Sequence, residues 1–120
     1  MSRDEAPAID VTVIVDVANV MGSRPDGWWR DRPGAQRRLV ARLGALGEPL
    51  TVVFDGREHD TDPPDDVDVR FARHADDTIA ELAGPGVTVV TSDRGLAERV
   101  RERGGEVEPS KRFLERLEGL

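Results

Sequence analysis

Between Val11 and Gly22 the chain reads VTVIVDVANVMG. Val11, Val13, Ile14 and Val15 make an apolar, β-branched run, the composition of a strand buried on both faces. Such a strand needs a sheet with helices packed on each side. The run ends in Asp16, and Asn19, Met21 and Gly22 follow. A carboxylate at the end of a buried strand is costly unless something compensates its charge. Open α/β sheets bind their ligands at the ends of the strands. Asp16 and Asn19 are therefore the first candidates for chemistry.

The rest of the chain repeats the alternation. The reading begins with a disordered lead-in over residues 1–9 and a first strand over 11–17. A loop, GSRPDGWWRDR, runs from Gly22 to Arg32, with Pro25 and Asp26-Gly27 as turn signals. A helix is expected from about Asp31, with Pro33 in its first turn and Leu39, Val40, Leu43 and Leu46 on one face. LTVVFD at 50–55 reads as a second buried strand, again closing on a carboxylate, Asp55. A polar loop over 56–66 precedes Val67, Val69 and Phe71, whose alternation with Asp68 and Arg70 predicts an exposed edge strand. Asp76 or Asp77 is expected to cap a short helix with Ile79, Leu82 and Ala83 inward. VTVVT at 87–91 is the fourth strand, and Ser92-Asp93 follows it directly. The next helix faces inward through Leu96, Ala97 and Val100 and stops at Gly104-Gly105. Val107 lies in a short last strand, and a closing helix buries Phe113, Leu114 and Leu117. This order predicts one three-layer α/β domain over 10–120 with a mostly parallel sheet of about five strands.

Composition narrows the chemistry. With 120 residues the chain has room for one core. It contains no cysteine, which excludes disulfides, thiolate metal sites and cysteine nucleophiles. Two histidines, His59 and His74, argue against a His-rich zinc site, so a metal here would be a hard cation on oxygen ligands. A net charge of −7 argues against nucleic-acid binding driven by bulk charge but not against a local basic rim. No apolar stretch is long enough to span a bilayer, and the acidic start MSRDEAPAID lacks the apolar centre of a signal peptide, so a cytoplasmic location is expected.

Three expected strand ends carry acids: Asp16, Asp55 and Asp93. Asp76 and Asp77 open a helix at the same edge. If the order of strands reverses after the third, the first and fourth become neighbours and bring Asp16 and Asp93 together at a switch point. Acids grouped with Asn19 and Ser92 make an oxygen-rich site suited to Mg²⁺ or Mn²⁺, which implies metal-assisted phosphodiester hydrolysis. Plainer roles stand beside this one. Ser92-Asp93 before a helix is a good N-cap, and Asp55 before Gly56 is a common turn. His74 is a phosphate contact or a solvated loop histidine. Trp28 and Trp29 either stack on bases or plug the side of the sheet. Arg24, Arg30, Arg32 and, at a helix start, Arg94 are phosphate contacts or solvated cations.

VDVANVMG, ARHADDTI and VVTSDRGL, in this order and spacing, resemble the NYN family of PIN-like nucleases, in particular its YacP-like branch. The resemblance runs from Val11 to about Leu114. It implies a Rossmann-like sheet of order 3-2-1-4-5 and RNA cleavage with bound Mg²⁺ or Mn²⁺. It assigns the metal to Asp16, Asp76 and Asp93, with Asp77 as a possible further ligand and Asn19 and Ser92 in support. The chain departs from the family pattern at Val17, Ala18 and Ala97, where glycine, a tyrosine or asparagine, and in some relatives another acid occur.

The expected function is a metal-dependent endoribonuclease acting on single-stranded RNA, possible as a homodimer through the edge strand or the last helix. The alternative is a degenerate relative that binds RNA or a protein without cutting. A receiver-like phospho-acceptor domain fits less well. The only lysine, Lys111, follows the last strand, and Asp16 has no acidic neighbour.

Overall fold

The computed structural model describes residues 12–22, 27 and 30–119. Arg24, Trp28 and Trp29, and the expected lead-in over 1–9, lie outside them. The elements are β1 (Thr12–Asp16), α1 (Val17–Gly22), α2 (Arg32–Leu43) with a following 3₁₀ turn (Gly44–Leu46), β2 (Leu50–Asp55), β3 (Val67–Ala72), α3 (Ala75–Leu82), β4 (Val87–Val90), α4 (Arg94–Glu102), β5 (Glu106–Glu108) and α5 (Ser110–Glu118).

Among the described residues the five strands form one parallel sheet, in the order β3-β2-β1-β4-β5. The central strand, β1, pairs Val15 with Val52 on one side and with Val90 on the other. Successive side chains of a strand point to opposite faces. Accordingly Val15, Val52, Phe54 and Val90 enter one core with residues of α1, α2 and α5. Ile14, Val53 and Val89 enter a second core with residues of α3 and α4. These are the three layers that the apolar runs require. The chain moves one way along the sheet from β1 to β3 and the other way from β3 to β5. Right-handed crossovers then put their helices on opposite faces, as α2 and the pair α3–α4 are placed here.

Three local expectations need correction. The first strand stops at Asp16, and Val17, expected as its last residue, already belongs to α1, a helix the sequence reading did not assign. Val17, Val20 and Met21 are buried on the α2 side, which is a helical spacing too short to stand out from the apolar run before it. Neither Asp76 nor Asp77 caps α3. The cap position is His74, and the first helical amide, Ala75 N–H, donates to Asp55 Oδ1 at 2.9 Å. Leu82 is 37% exposed, while Ala80 fills the inward position instead. The β2–β3 crossover has no helix: residues 56–66 cover the sheet as a loop, held where His59 Nε2 lies 2.6 Å from Gln36 Oε1.

Candidate active site at the β1–β4 junction

Because β1 and β4 are neighbours but their crossovers leave in opposite directions, a crevice opens at their carboxyl ends. Asp16 is the last residue of β1 and is 3% exposed. One carboxylate oxygen accepts the Thr91 hydroxyl at 2.8 Å; the other accepts the Asn19 backbone N–H at 3.4 Å. Burial nevertheless raises its pKa, outweighing those two hydrogen bonds, and the charges of Asp76 and Asp93 push in the same direction.

Thr91 links the strand end to the Ser-Asp turn. Its Oγ1 also accepts the Asp93 backbone N–H at 3.1 Å. Asp93 is then the N-cap of α4, its Oδ1 accepting the Leu96 N–H at 3.0 Å. The capping role expected from sequence is therefore real, and it fixes the carboxylate at the crevice, where it acts on Asp16 and Asp76.

Asn19 sits on α1 and joins three elements. Its Oδ1 accepts the Ser92 backbone N–H at 2.8 Å and the Ser110 hydroxyl at 2.6 Å. Ser110 N–H in turn donates to Ser92 Oγ at 2.9 Å. A carbonyl oxygen has two lone pairs, so Asn19 Oδ1 is committed to the protein and is not a metal ligand in this arrangement. Asn19 and Ser92 act as a brace between α1, the end of β4 and the start of α5.

Asp76 is exposed in the first turn of α3. Partial burial raises its pKa, with Asp93 and Asp55 adding repulsion and Arg99 opposing it. Asp77 turns instead to Arg99, which it meets at 3.0 Å. Asp55, His74, Asp76, Asp77 and Arg99 line a polar cavity of about 290 Å³ beside the crevice. Arg30 and Arg32 are exposed near the start of α2, and Arg94 is exposed at the start of α4.

The structure thus gathers Asp16, Asn19, Ser92 and Asp93 by hydrogen bonds and brings Asp76 within electrostatic reach. It leaves Asp77 at the margin. Among the described residues no group of three acidic or histidine side chains is poised to hold a metal ion. Two members escaped the sequence reading. Thr91 was legible as the polar residue closing a buried strand, whereas Ser110, after Pro109, looks like any helix-start serine.

No family model matches the chain, and no curated protein does. Solved structures do. The crystal structure of Rae1 (YacP) from Bacillus subtilis superposes with a TM-score of 0.73 at 20% identity, covering 90% of this chain and 74% of that one. A point mutant of the same protein gives 0.72 at 21% identity, with 90% and 75% covered. What the chain shares with Rae1 (YacP) is therefore its fold, the PIN-like, Rossmann-like three-layer sandwich of strand order 3-2-1-4-5.

Proposed function

We propose that this chain is a metal-dependent endoribonuclease, a YacP-like member of the NYN family that hydrolyses RNA phosphodiester bonds in the cytoplasm. The observation that carries the reading is that Asp16, almost fully buried at the end of β1, is tied through Thr91 to the Asp93 backbone after β4, with Asp76 in the first turn of α3 near enough that its charge helps raise the Asp16 pKa. Protons or a cation relieve such a group. The donor set suits Mg²⁺ or Mn²⁺ in that its carboxylates offer only hard oxygens. Mg²⁺ commonly takes one or two carboxylates and completes its shell with water and phosphate oxygens. Asp16, Asp76 and Asp93 would hold it. When bound, such a cation activates water and stabilises charge on a phosphoryl group.

The remaining residues act through position. Thr91 holds the Asp16 carboxylate and the Asp93 backbone at once. Asn19 and Ser92 keep the turn after β4 in place. Asp77 balances Arg99 and serves as the outer acid of the site. Arg30, Arg32 and Arg94 supply positive charge for an RNA backbone.

The decisive experiment is cleavage of a labelled single-stranded RNA in Mg²⁺ or Mn²⁺, run with EDTA and with Asp16→Asn. Cleavage lost in both controls supports the nuclease. Cleavage that survives Asp16→Asn refutes it. A second reading, a PIN-like module that binds RNA or a protein without cutting, is favoured by the lack of three converged ligands and by Ala97. It predicts RNA retention with no cleavage under any metal. A homodimer through β3 or α5 is part of the same proposal, and light scattering tests it.

A further inference from the structure

A groove of about 430 Å³ leads away from the crevice between α4 and β5, starting at Thr91 and Ser92. Arg94, Ala97, Glu98 and Arg101 form its α4 wall. They are spaced i, i+3, i+4 and i+7, one face of the helix. Val107 and Pro109 form the opposite wall. Ala97 is buried and Val107 half-buried, so they give the groove apolar lining, whereas Arg94, Glu98 and Arg101 are exposed.

The two arginines of this face differ from the others on α4. Arg99 pairs with Asp77, and Arg103 donates to the carbonyls of Ala83 and Glu81. Arg94 and Arg101 make no ion pair among the described residues. In a chain of net charge −7, two unneutralised guanidinium groups on the wall of one groove are a local reversal of sign. Their α-carbons are about 10 Å apart along the helix, with Glu98 between them. Guanidinium groups bind phosphate in planar, paired hydrogen bonds. A carboxylate repels phosphate but accepts from hydroxyl and amino groups. The order along the wall is thus phosphate binder, acceptor beside an apolar lining, phosphate binder.

We propose that this groove is a nucleotide subsite for single-stranded RNA, taking the nucleotide next to the bond that is cut. Arg94 holds the phosphate nearer the crevice, Arg101 holds the next one, and the sugar and base lie between them on Ala97 and Val107, within reach of Glu98. The groove is continuous with the site because Ser92 belongs to both, its N–H bonded to Asn19. This proposal rests on reading the crevice as a ribonuclease site.

The test measures binding of a fluorescein-labelled oligoribonucleotide by anisotropy, in the Asp16→Asn background, across a series of salt concentrations. KM for cleavage is measured in the otherwise unaltered protein. Arg101→Gln is expected to weaken binding about five- to tenfold at low salt and to reduce the slope of log K against log salt by about 0.7, one phosphate contact on a single strand. KM should rise in step. Arg101→Lys should keep the slope. Arg38→Gln, on the exposed side of α2, should change neither, and melting temperatures confirm that each variant is folded. If Arg101→Gln binds with the parent's affinity and slope while cleavage remains dependent on Asp16, the groove is refuted and the nuclease stands. If the parent neither binds nor cuts RNA, the nuclease reading fails and the groove with it.

Discussion

Ser110 Oγ donates to Asn19 Oδ1 at 2.6 Å across a sequence separation of 91 residues, and Ser110 is completely buried. The last helix is thereby tied to the first strand–helix turn, on which Asp16 is held. Ser110→Ala removes the hydroxyl but leaves the backbone bond to Ser92. The expected cost is about 1 kcal/mol of stability and about tenfold in kcat, the scale of a lost supporting contact, with KM little changed. The same substitution in an Asn19→Ala background should cost much less. Additive effects in that cycle would show that Ser110 does not act through Asn19.

Asp16 carries a pH signature. Its pKa is raised in the folded state, mainly by burial. The native protein therefore binds this proton more tightly than the unfolded chain does. Its stabilising contribution is complete below the ordinary carboxylate value of 3.8 and is lost as pH rises through the raised folded value. Asp16→Asn removes that loss. The variant should be at least as stable as the parent at pH 7 in the absence of metal, with their difference shrinking toward pH 4, while activity falls about 100-fold or more. Urea midpoints from pH 4 to 7 decide it; a variant markedly less stable at pH 7 contradicts the burial penalty.

Divalent cations should reverse part of this pattern. A cation held by Asp16 and its neighbours binds only the folded chain and raises the melting temperature with concentration. At about 100 times its dissociation constant the gain is about 2.7 kcal/mol. The shift should be present with Mg²⁺ or Mn²⁺ and absent in Asp16→Asn. An equal shift in both proteins would place the cation elsewhere.

Asp55 performs the task that Asp76 and Asp77 were expected to share. Its carboxylate meets the first amide of α3. Asp55→Ala should cost about 1 kcal/mol, the scale of a lost helix cap. It also removes one source of repulsion at Asp76, whose pKa should move down toward the usual carboxylate range. Carboxyl chemical shifts followed against pH will show the movement, and an unmoved Asp76 would uncouple the two groups.

Gly105 lies where α4 turns back into β5. A β-carbon there would sit 2.9 Å from a Val100 methyl, 3.1 Å from the Val87 carbonyl oxygen and 3.3 Å from that of Gly84. Two of these neighbours are backbone and cannot swing aside. Gly105→Ala should therefore destabilise by about 1–3 kcal/mol, as overpacking does. A calorimetric melt no lower than the parent's would show that the turn relaxes freely.

The sequence alone determined the strands, the alternation with helices and the Asp93 cap, and placed Asp16 and Asp93 together only on condition that the strand order reverses. Each follows from short-range pattern: β-branched runs mark buried strands, and an acid before an apolar helix meets its own first-turn amides. The resemblance to YacP-like NYN proteins supplied the strand order, and the register of β1 against β4 bears it out. Only the tertiary structure decided what each polar group touches. Asp77 belongs to Arg99, Asp55 to α3, Thr91 to Asp16, and Ser110 to Asn19. Three of these partners come from elements packed together only once the sheet is complete. Even Thr91, two residues from Asp93, reaches Asp16 only because β4 lies beside β1. Local sequence fixes where a carboxylate stands along the chain, but its charge state and its partners depend on what the fold buries beside it.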